Sequence, residues 1–411
     1  MVFLSGCGGR ESAKEYNKQA NEKYDKGDYA GAIEYYSKVI QLRPNYSAGF
    51  ANRAQSELNL NKLDEALKDF TEAINIRPTN DYALLGRAKI YVLQGKYDDA
   101  VNDAMAAIRV NPTNDWAYFL MGRVSFELKE WDNAVGYFSH VIRLRPDSYV
   151  GYDGRGRVRR EQKKYREAIL DYDQAIKLGP TNYFSLFDRG YLKIELEDWA
   201  GAIADLDRVI ELRPADATAF YDRGFAKSKL HDYGGAITDY NQSLKIRPDD
   251  DRAYAERAYA ENHQGNYAGA VTDFTKAIQF GPSNSLPIKS DLFNERGWIE
   301  FKKGDFDAAI ADATRAIELS PTNNLAYGTR GWARYGKGDA PGALADCKKA
   351  IELAETNSIE VNYDLGMIAY INGDFTNAVT IWQKVTVQEP ELKIELQPWI
   401  EKAQAKLNKT P

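Results

Sequence analysis

ATAFYDRGFAKSKLHDYGGAITDYNQSLKIRPDD, residues 217–250, decides the fold, because most of the chain is this unit copied. Numbered 1 to 34, it places Phe220 at position 4, Gly224 at 8, Tyr233 at 17, Ala236 at 20, Tyr240 at 24 and Pro248 at 32. Sliding the same ruler gives eleven units: 13–46, 47–80, 81–114, 115–148, 149–182, 183–216, 217–250, 251–284, 290–323, 324–357 and 359–392. Position 20 is alanine in all eleven, and position 8 is always Gly or Ala, small enough for two helices to approach closely. Position 32 is proline in ten, with Glu355 the exception; proline ends a helix because it lacks the amide donor and its ring clashes.

Between these anchors the apolar period is helical. Phe220, Gly224 and Ser228 fall on one face of a first helix, and Ala236, Tyr240, Leu244 and Ile246 line a second. A turn near position 15, marked by Gly27, Gly95, Gly265, Gly304 and Gly373, separates them. One such hairpin cannot bury its apolar face alone, so neighbours must stack. The pattern of apolar or aromatic at 4, small at 8, aromatic at 17, Ala at 20, aromatic at 24 and Pro at 32 resembles the tetratricopeptide repeat family over residues 13–392. That resemblance implies an all-α, right-handed solenoid of hairpins whose first helices line a concave groove.

The ends divide the chain further. Residues 1–11 read as a terminus and tether, 12–392 as the eleven repeats, and 393–411 as a capping helix and tail. Leu4-Ser5-Gly6-Cys7 resembles a bacterial lipobox, which implies lipidation of Cys7 and a place in the cell envelope. Val2, Phe3 and Leu4 are too short for a signal-peptide core, however, so either a start lies upstream or the match is chance and this is a frayed terminus of a cytoplasmic protein. Ser12 with Glu15 forms a capping-box pattern, expected to start the first helix after Gly8-Gly9-Arg10. After Pro390, Leu392, Leu396, Trp399, Ile400, Ala403 and Leu407 recur at helical spacing and can cover the last repeat, with Pro398 expected in the first turn. Five extra residues, Ser285 to Lys289, are expected to lengthen the loop between the eighth and ninth repeats.

Comparison among the repeats exposes a pairing rule. Position 7 is Arg53, Arg87, Arg155, Arg189, Arg223, Arg257, Arg296 and Arg330 in eight repeats, and position 23 is Asp in the same eight, from Asp69 to Asp346. The other three have neither charge: Gln19 with Tyr35, Met121 with Tyr137, Leu365 with Ile381. A planar guanidinium suits a bidentate carboxylate, so each pair is expected to tie the two helices of one hairpin.

Composition excludes several functions. A net charge of −6 and a pI near 5.4 argue against a phosphate-neutralising surface, hence against nucleic acid as partner. No apolar run reaches 18 residues, so any membrane contact would be through a lipid anchor and not a transmembrane helix. Cys7 and Cys347 form neither a disulfide framework nor a metal-ligand spacing. His140, His231 and His263 fall on different elements of different repeats and are read as isolated. No phosphate loop, catalytic constellation, metal set or cofactor motif is present, so the chain is read as a non-enzyme without cofactors.

The informative column is position 9, which the family resemblance places on the groove. Down the repeats it reads Asn21, Gln55, Lys89, Arg123, Arg157, Tyr191, Phe225, Tyr259, Trp298, Trp332 and Met367. Lys89, Arg123, Arg157 and the nearby Arg160 form a basic half. Asp188, Asp222, Glu256 and Glu295 at position 6, with Tyr191, Phe225, Tyr259, Trp298 and Trp332, form an aromatic, acid-rimmed half. The family's carboxylate clamp matches here only at its asparagines, Asn21 and Asn52; Asn17, Tyr82 and Gly86 stand where its three cations would be. The expected function is a non-catalytic scaffold binding an extended peptide or protein segment; a glycan-binding or enzyme-accessory array using the aromatic stripe is the alternative.

Overall fold

A computed structural model of the chain describes residues 5–281, 285–354 and 359–408, with side chains from residue 11 onward except Leu286. Cys7, the expected lipidation site, therefore has its side chain outside the described residues. The described residues form helices and no strand, an all-α repeat array as expected. They group into two compact units, Met1–Leu196 and Glu197–Pro411.

In the first unit the hairpins are α1 (Ser5–Asp25) with α2 (Tyr29–Leu42), α3 (Ser47–Asn59) with α4 (Leu63–Ile76), α5 (Asp81–Leu93) with α6 (Tyr97–Val110), α7 (Asp115–Glu127) with α8 (Trp131–Leu144), and α9 (Tyr149–Glu161) with α10 (Tyr165–Leu178), followed by α11 (Tyr183–Glu195). The second unit opens with α12 (Trp199–Leu212). It continues with α13 (Ala217–Lys229) and α14 (Tyr233–Ile246), α15 (Asp251–His263) and α16 (Tyr267–Phe280), α17 (Leu286–Lys303) and α18 (Phe306–Leu319), α19 (Asn324–Gly336) and α20 (Ala340–Leu353), and α21 (Ile359–Ile371) and α22 (Phe375–Gln388). A 3-10 turn, Pro390–Leu392, leads into α23 (Lys393–Leu407).

Each hairpin turns through a left-handed residue at position 15. Glycine takes it at Gly27, Gly95, Gly265, Gly304, Gly338 and Gly373, while Asn61, Lys129, Lys163, Glu197 and His231 hold φ of 58° to 62°. The next residue often caps the second helix, as Asp28, Asp232 and Asp339 do by accepting an amide N–H three residues on at 2.9 Å. Position 8 is small because the ring at position 24 lies against it. A Cβ on Gly366 would stand 2.1 Å from the Trp382 indole, and on Gly156 2.9 Å from Tyr172.

The predicted Arg–Asp pairs are made in every repeat whose two members lie in one unit; Arg189 and Asp205 fall in different units. Each guanidinium does more than the sequence reading expected. Arg330 donates through Nε and Nη2 to both oxygens of Asp346 at 2.8 Å, and its Nη1 donates to Thr314 Oγ1 of the preceding hairpin at 3.4 Å. Arg53 repeats this with Asp69 and Ser37, and Arg223 with Asp239 and Asp207. One side chain thus ties its own hairpin together and fastens it to the one before.

Three expectations, two at the ends and one at the insertion, are corrected. Helix α1 begins at Ser5, so Ser12 lies within it and does not cap it, and the expected tether is helical backbone. The insertion at Ser285–Lys289 is not a loop: α17 has 18 residues where the other first helices after α1 have 13, and Pro287 sits at its start. Proline fits there because the first-turn amide has no intrahelical partner to lose. Pro398 lies inside α23, not in its first turn, because the helix already starts at Lys393. The capping role itself stands: Leu396, Ile400 and Ala403 are buried against α22 and α21 residues such as Trp382 and Tyr370.

The clasps differ in their reserves. Asp239 has a second cation, Lys227, at 2.8 Å. Asp273, paired with Arg257 at 2.6 Å, has no second cation among the described residues, and Glu261 stands nearby, its carboxyl raised by burial first and by Asp273 next, with Arg257 opposing. Arg257→Ala should therefore destabilise its hairpin by about 3–5 kcal/mol, Arg223→Ala by about 1 kcal/mol. Hydrogen exchange of the α13–α16 amides reads this locally, since long arrays open piecewise. The Arg257→Ala loss should shrink as pH falls toward 5, because the raised Glu261 carboxyl takes up a proton and no longer needs a counter-charge; equal protection in both variants would remove the distinction.

Candidate binding surface

The first helix of each hairpin carries positions 6 and 9, and the two units use them differently. In the first unit Lys89 and Arg123 are half-buried, while Arg157 is exposed with its guanidinium 5.6 Å from the Phe126 ring. Arg160 is not a free cation. It pairs with Asp188 at 2.5 Å and Glu161 at 3.0 Å, joining a predicted member of the basic half to one of the acidic half. The Tyr172 hydroxyl also donates to Asp188 at 3.2 Å. Burial raises the Asp188 carboxyl, and Arg160 and the Tyr172 bond pull it back. Tyr191 is 41% exposed.

In the second unit Asp222, Glu256 and Glu295 occupy position 6 on α13, α15 and α17, and none makes a hydrogen bond or ion pair among the described residues. Each is half-buried, touched by solvent but surrounded by protein. Burial pushes the Asp222 carboxyl up to about 7, against the opposing pull of Arg252. Burial likewise pushes Glu295 up to about 7, with Lys302 pulling down and Asp291 and Glu395 pushing further up. Glu256 is raised by burial, with Lys229 opposing.

The rings beside these acids grade from open to enclosed. Phe225 stands edge-on to Trp199 with Lys229 Nζ 5.0 Å from its centroid, Tyr259 stands edge-on to Phe274 at 5.2 Å, and Trp298 stacks on Phe301 at 5.0 Å. All three are half-buried. Trp332 is corrected from a surface ring to a core one: it is 1% exposed and donates its indole N–H to Asp364 at 3.0 Å. The cause is α23, whose Trp399 packs edge-on to Trp332 at 5.2 Å and also meets Tyr335 and Tyr370. Glu395 of α23 pairs with Lys302 and lies 3.5 Å from the Tyr363 hydroxyl. Between α17, α19, α21 and the start of α23 a cavity of about 370 Å³ remains.

Two histidines also converge, contrary to the sequence reading. His263 stacks on Tyr233 at 4.4 Å, and His231 Nδ1 lies 2.9 Å from the Tyr233 hydroxyl and 3.6 Å from Glu391. Position 13 of one hairpin neighbours position 15 of the one before, which the ruler does not display. No cluster of His, Cys, Asp or Glu among the described residues has metal-holding geometry, and no described helix is long and apolar enough to cross a membrane.

The tetratricopeptide repeat model matches residues 17–81, 85–149, 154–217, 221–285 and 294–358. The chain belongs to the tetratricopeptide repeat family. Among similar proteins are DnaJ homolog subfamily C member 7 of Mus musculus, 37% identical over 60 residues, and the Tetratricopeptide repeat protein 36 homolog of Nematostella vectensis, 44% identical over 43 residues. These matches span 15% and 10% of this chain, and only 12% and 24% of the relatives' own length. A solved tetratricopeptide repeat protein from Parabacteroides merdae aligns with 21% identity and a TM-score of 0.45, over 61% of this chain and 99% of that one.

The partnerless acids of this tetratricopeptide array set a pH dependence. Their folded pKa values lie above the unfolded value near 4, so the folded state holds more protons between those limits. For Asp222 and Glu295 the contribution is full below about pH 4 and is lost as pH rises through about 7. Asp222→Asn with Glu295→Gln should therefore reduce the fall in stability between pH 5 and pH 8 by about 1–2 kcal/mol after allowing for partial exposure. Thermal melts of both proteins across that range measure it; parallel curves would remove the burial argument.

Proposed function

We propose that this protein is a non-catalytic interaction scaffold whose second unit binds an extended, basic protein segment along α13, α15 and α17. The observation that carries this reading is the row Asp222, Glu256 and Glu295, three half-buried carboxyls without partners on successive first helices. A lysine- or arginine-bearing segment would supply the missing counter-charges. Phe225, Tyr259 and Trp298 beside them offer ring faces, over which a cation gains about 0.5–2 kcal/mol. In the first unit the corresponding acid, Asp188, already holds Arg160 and Tyr172.

The array is tethered, in this reading, through a lipidated Cys7 in a bacterial envelope, supported by Leu4-Ser5-Gly6-Cys7 alone. Mass spectrometry of the protein from its native membrane tests that part: an unmodified Cys7 thiol overturns it. The binding part is tested with an extended peptide of alternating lysine and alanine, by fluorescence anisotropy at low and high salt. Wild type should bind it and ignore the glutamate counterpart. The triple variant Asp222→Asn, Glu256→Gln, Glu295→Gln should lose at least about tenfold in affinity and most of the salt dependence. Equal affinity in wild type and triple variant overturns the reading.

A further inference from the structure

The 370 Å³ cavity beneath the start of α23 is a built site and not a gap in packing. The planes of Trp298 and Tyr363 stand 71° apart with centroids 5.9 Å from each other, giving it two aromatic walls. Trp332 backs both, at 6.3 Å from Trp298 and 4.8 Å from Tyr363, so neither ring is free to swing away. Most polar groups on its wall are already engaged. Asn294 accepts from Thr329 at 2.8 Å, Asp364 accepts from Trp332, and Glu395 is tied to Lys302 and the Tyr363 hydroxyl. Glu295 is not: it lines the cavity, is enclosed by protein, and has no partner among the described residues.

The charge around the space is one-sided. Glu295, Glu360, Asp364 and Glu395 line it against a single cation, Lys302, which is itself engaged. An anion would meet four acids there. A neutral apolar group would leave Glu295 buried without a counter-charge. A compact cation satisfies both walls at once, the ring faces by their quadrupole and the carboxylate by charge.

We propose that the cavity walled by Trp298 and Tyr363 and lined by Glu295 is a binding site for an alkylammonium group. Such a group comes either from a lysine side chain of a bound protein segment, which deepens the scaffold reading above, or from a free quaternary ammonium compound. A primary ammonium can donate hydrogen bonds to Glu295, whereas a quaternary one relies on the rings.

Heteronuclear NMR of the full chain, following the indole N–H of Trp298 assigned through Trp298→Phe, tests this with four probes: N-acetyl-lysine amide, tetramethylammonium, the neutral Nε-acetyl form of the lysine probe, and glucose. Either ammonium probe should shift the Trp298 signal with a dissociation constant on the order of 1 mM, and the two neutral probes should not. Glu295→Gln, which keeps the shape, should weaken the lysine probe about tenfold, and Trp298→Phe should retain more binding than Trp298→Ala. A stronger response to the lysine probe assigns the site to a protein side chain, and a stronger response to tetramethylammonium to a free compound. Equal response to the neutral lysine probe, or a Glu295→Gln variant that binds as wild type does, overturns the proposal. Lysine-peptide binding that disappears in the triple variant while neither ammonium probe binds would overturn the cavity alone. Ammonium binding without peptide binding would overturn the scaffold reading alone.

Discussion

The arginine at position 7 is the constraint on which the rest depends. Its guanidinium is flat and its donors point in fixed directions, so binding both oxygens of the position 23 aspartate sets the angle between the two helices of a hairpin. The remaining Nη1 reaches the preceding hairpin at position 25, as from Arg53 to Ser37, Arg87 to Thr71 and Arg257 to Asn241. With three helices held by one group, the rotation of the first helix about its own axis is no longer free. That rotation decides where positions 6 and 9 stand. The face carrying positions 6 and 9 is thus positioned by the arginine at position 7 between them.

The same repeat tolerates very different residues at position 6, and packing explains part of the choice. Gly86 and Gly154 stand where the Phe70 and Phe138 rings of the preceding hairpin come so close that a Cβ would fall within 2.3 and 2.5 Å of them. Where the preceding ring is Tyr172, the position holds Asp188, and the tyrosine hydroxyl bonds to it. In these three places ring and position 6 residue act as a matched pair between neighbours, whereas Phe274 precedes Glu295 and the Tyr240 hydroxyl, before Glu256, has no hydrogen-bond partner among the described residues. Asp364 follows the rule in another form, facing the small Cys347 and taking the Trp332 indole N–H instead.

Much of the fold was legible because a repeat is its own alignment. Ala at 20, a small residue at 8 and the Arg–Asp pairing each follow from contacts within one 34-residue frame, and all are present. The position 25 contact was legible too. The two repeats after the first that lack the arginine, with Met121 and Leu365, follow hairpins carrying Met105 and Lys348 at position 25, where every other such position holds an oxygen-bearing side chain. What stayed hidden depends on contacts outside the frame. Arg160 meets Asp188 across 28 residues, Glu395 meets Lys302 from the far end of the chain, and Trp399 covers Trp332. A ruler aligns equivalent positions but does not say which unlike positions touch, so the burial of Trp332 and the enclosure of the cavity were not readable from spacing.

The acids at position 6 in the second unit are therefore not demanded by the architecture. Repeats of the first unit build the same hairpin with Asn52, Gly86, Leu120 and Gly154 at that position. Enclosing a carboxyl without a partner costs free energy, which is why burial drives Asp222 and Glu295 toward the protonated form. A neutral side chain would avoid that cost and leave the Arg223, Arg257 and Arg296 clasps intact, since these use Asp239, Asp273 and Asp312. Three successive repeats carry the penalty where the scaffold gains nothing from it. Charge that the fold does not use is charge available to a cationic ligand.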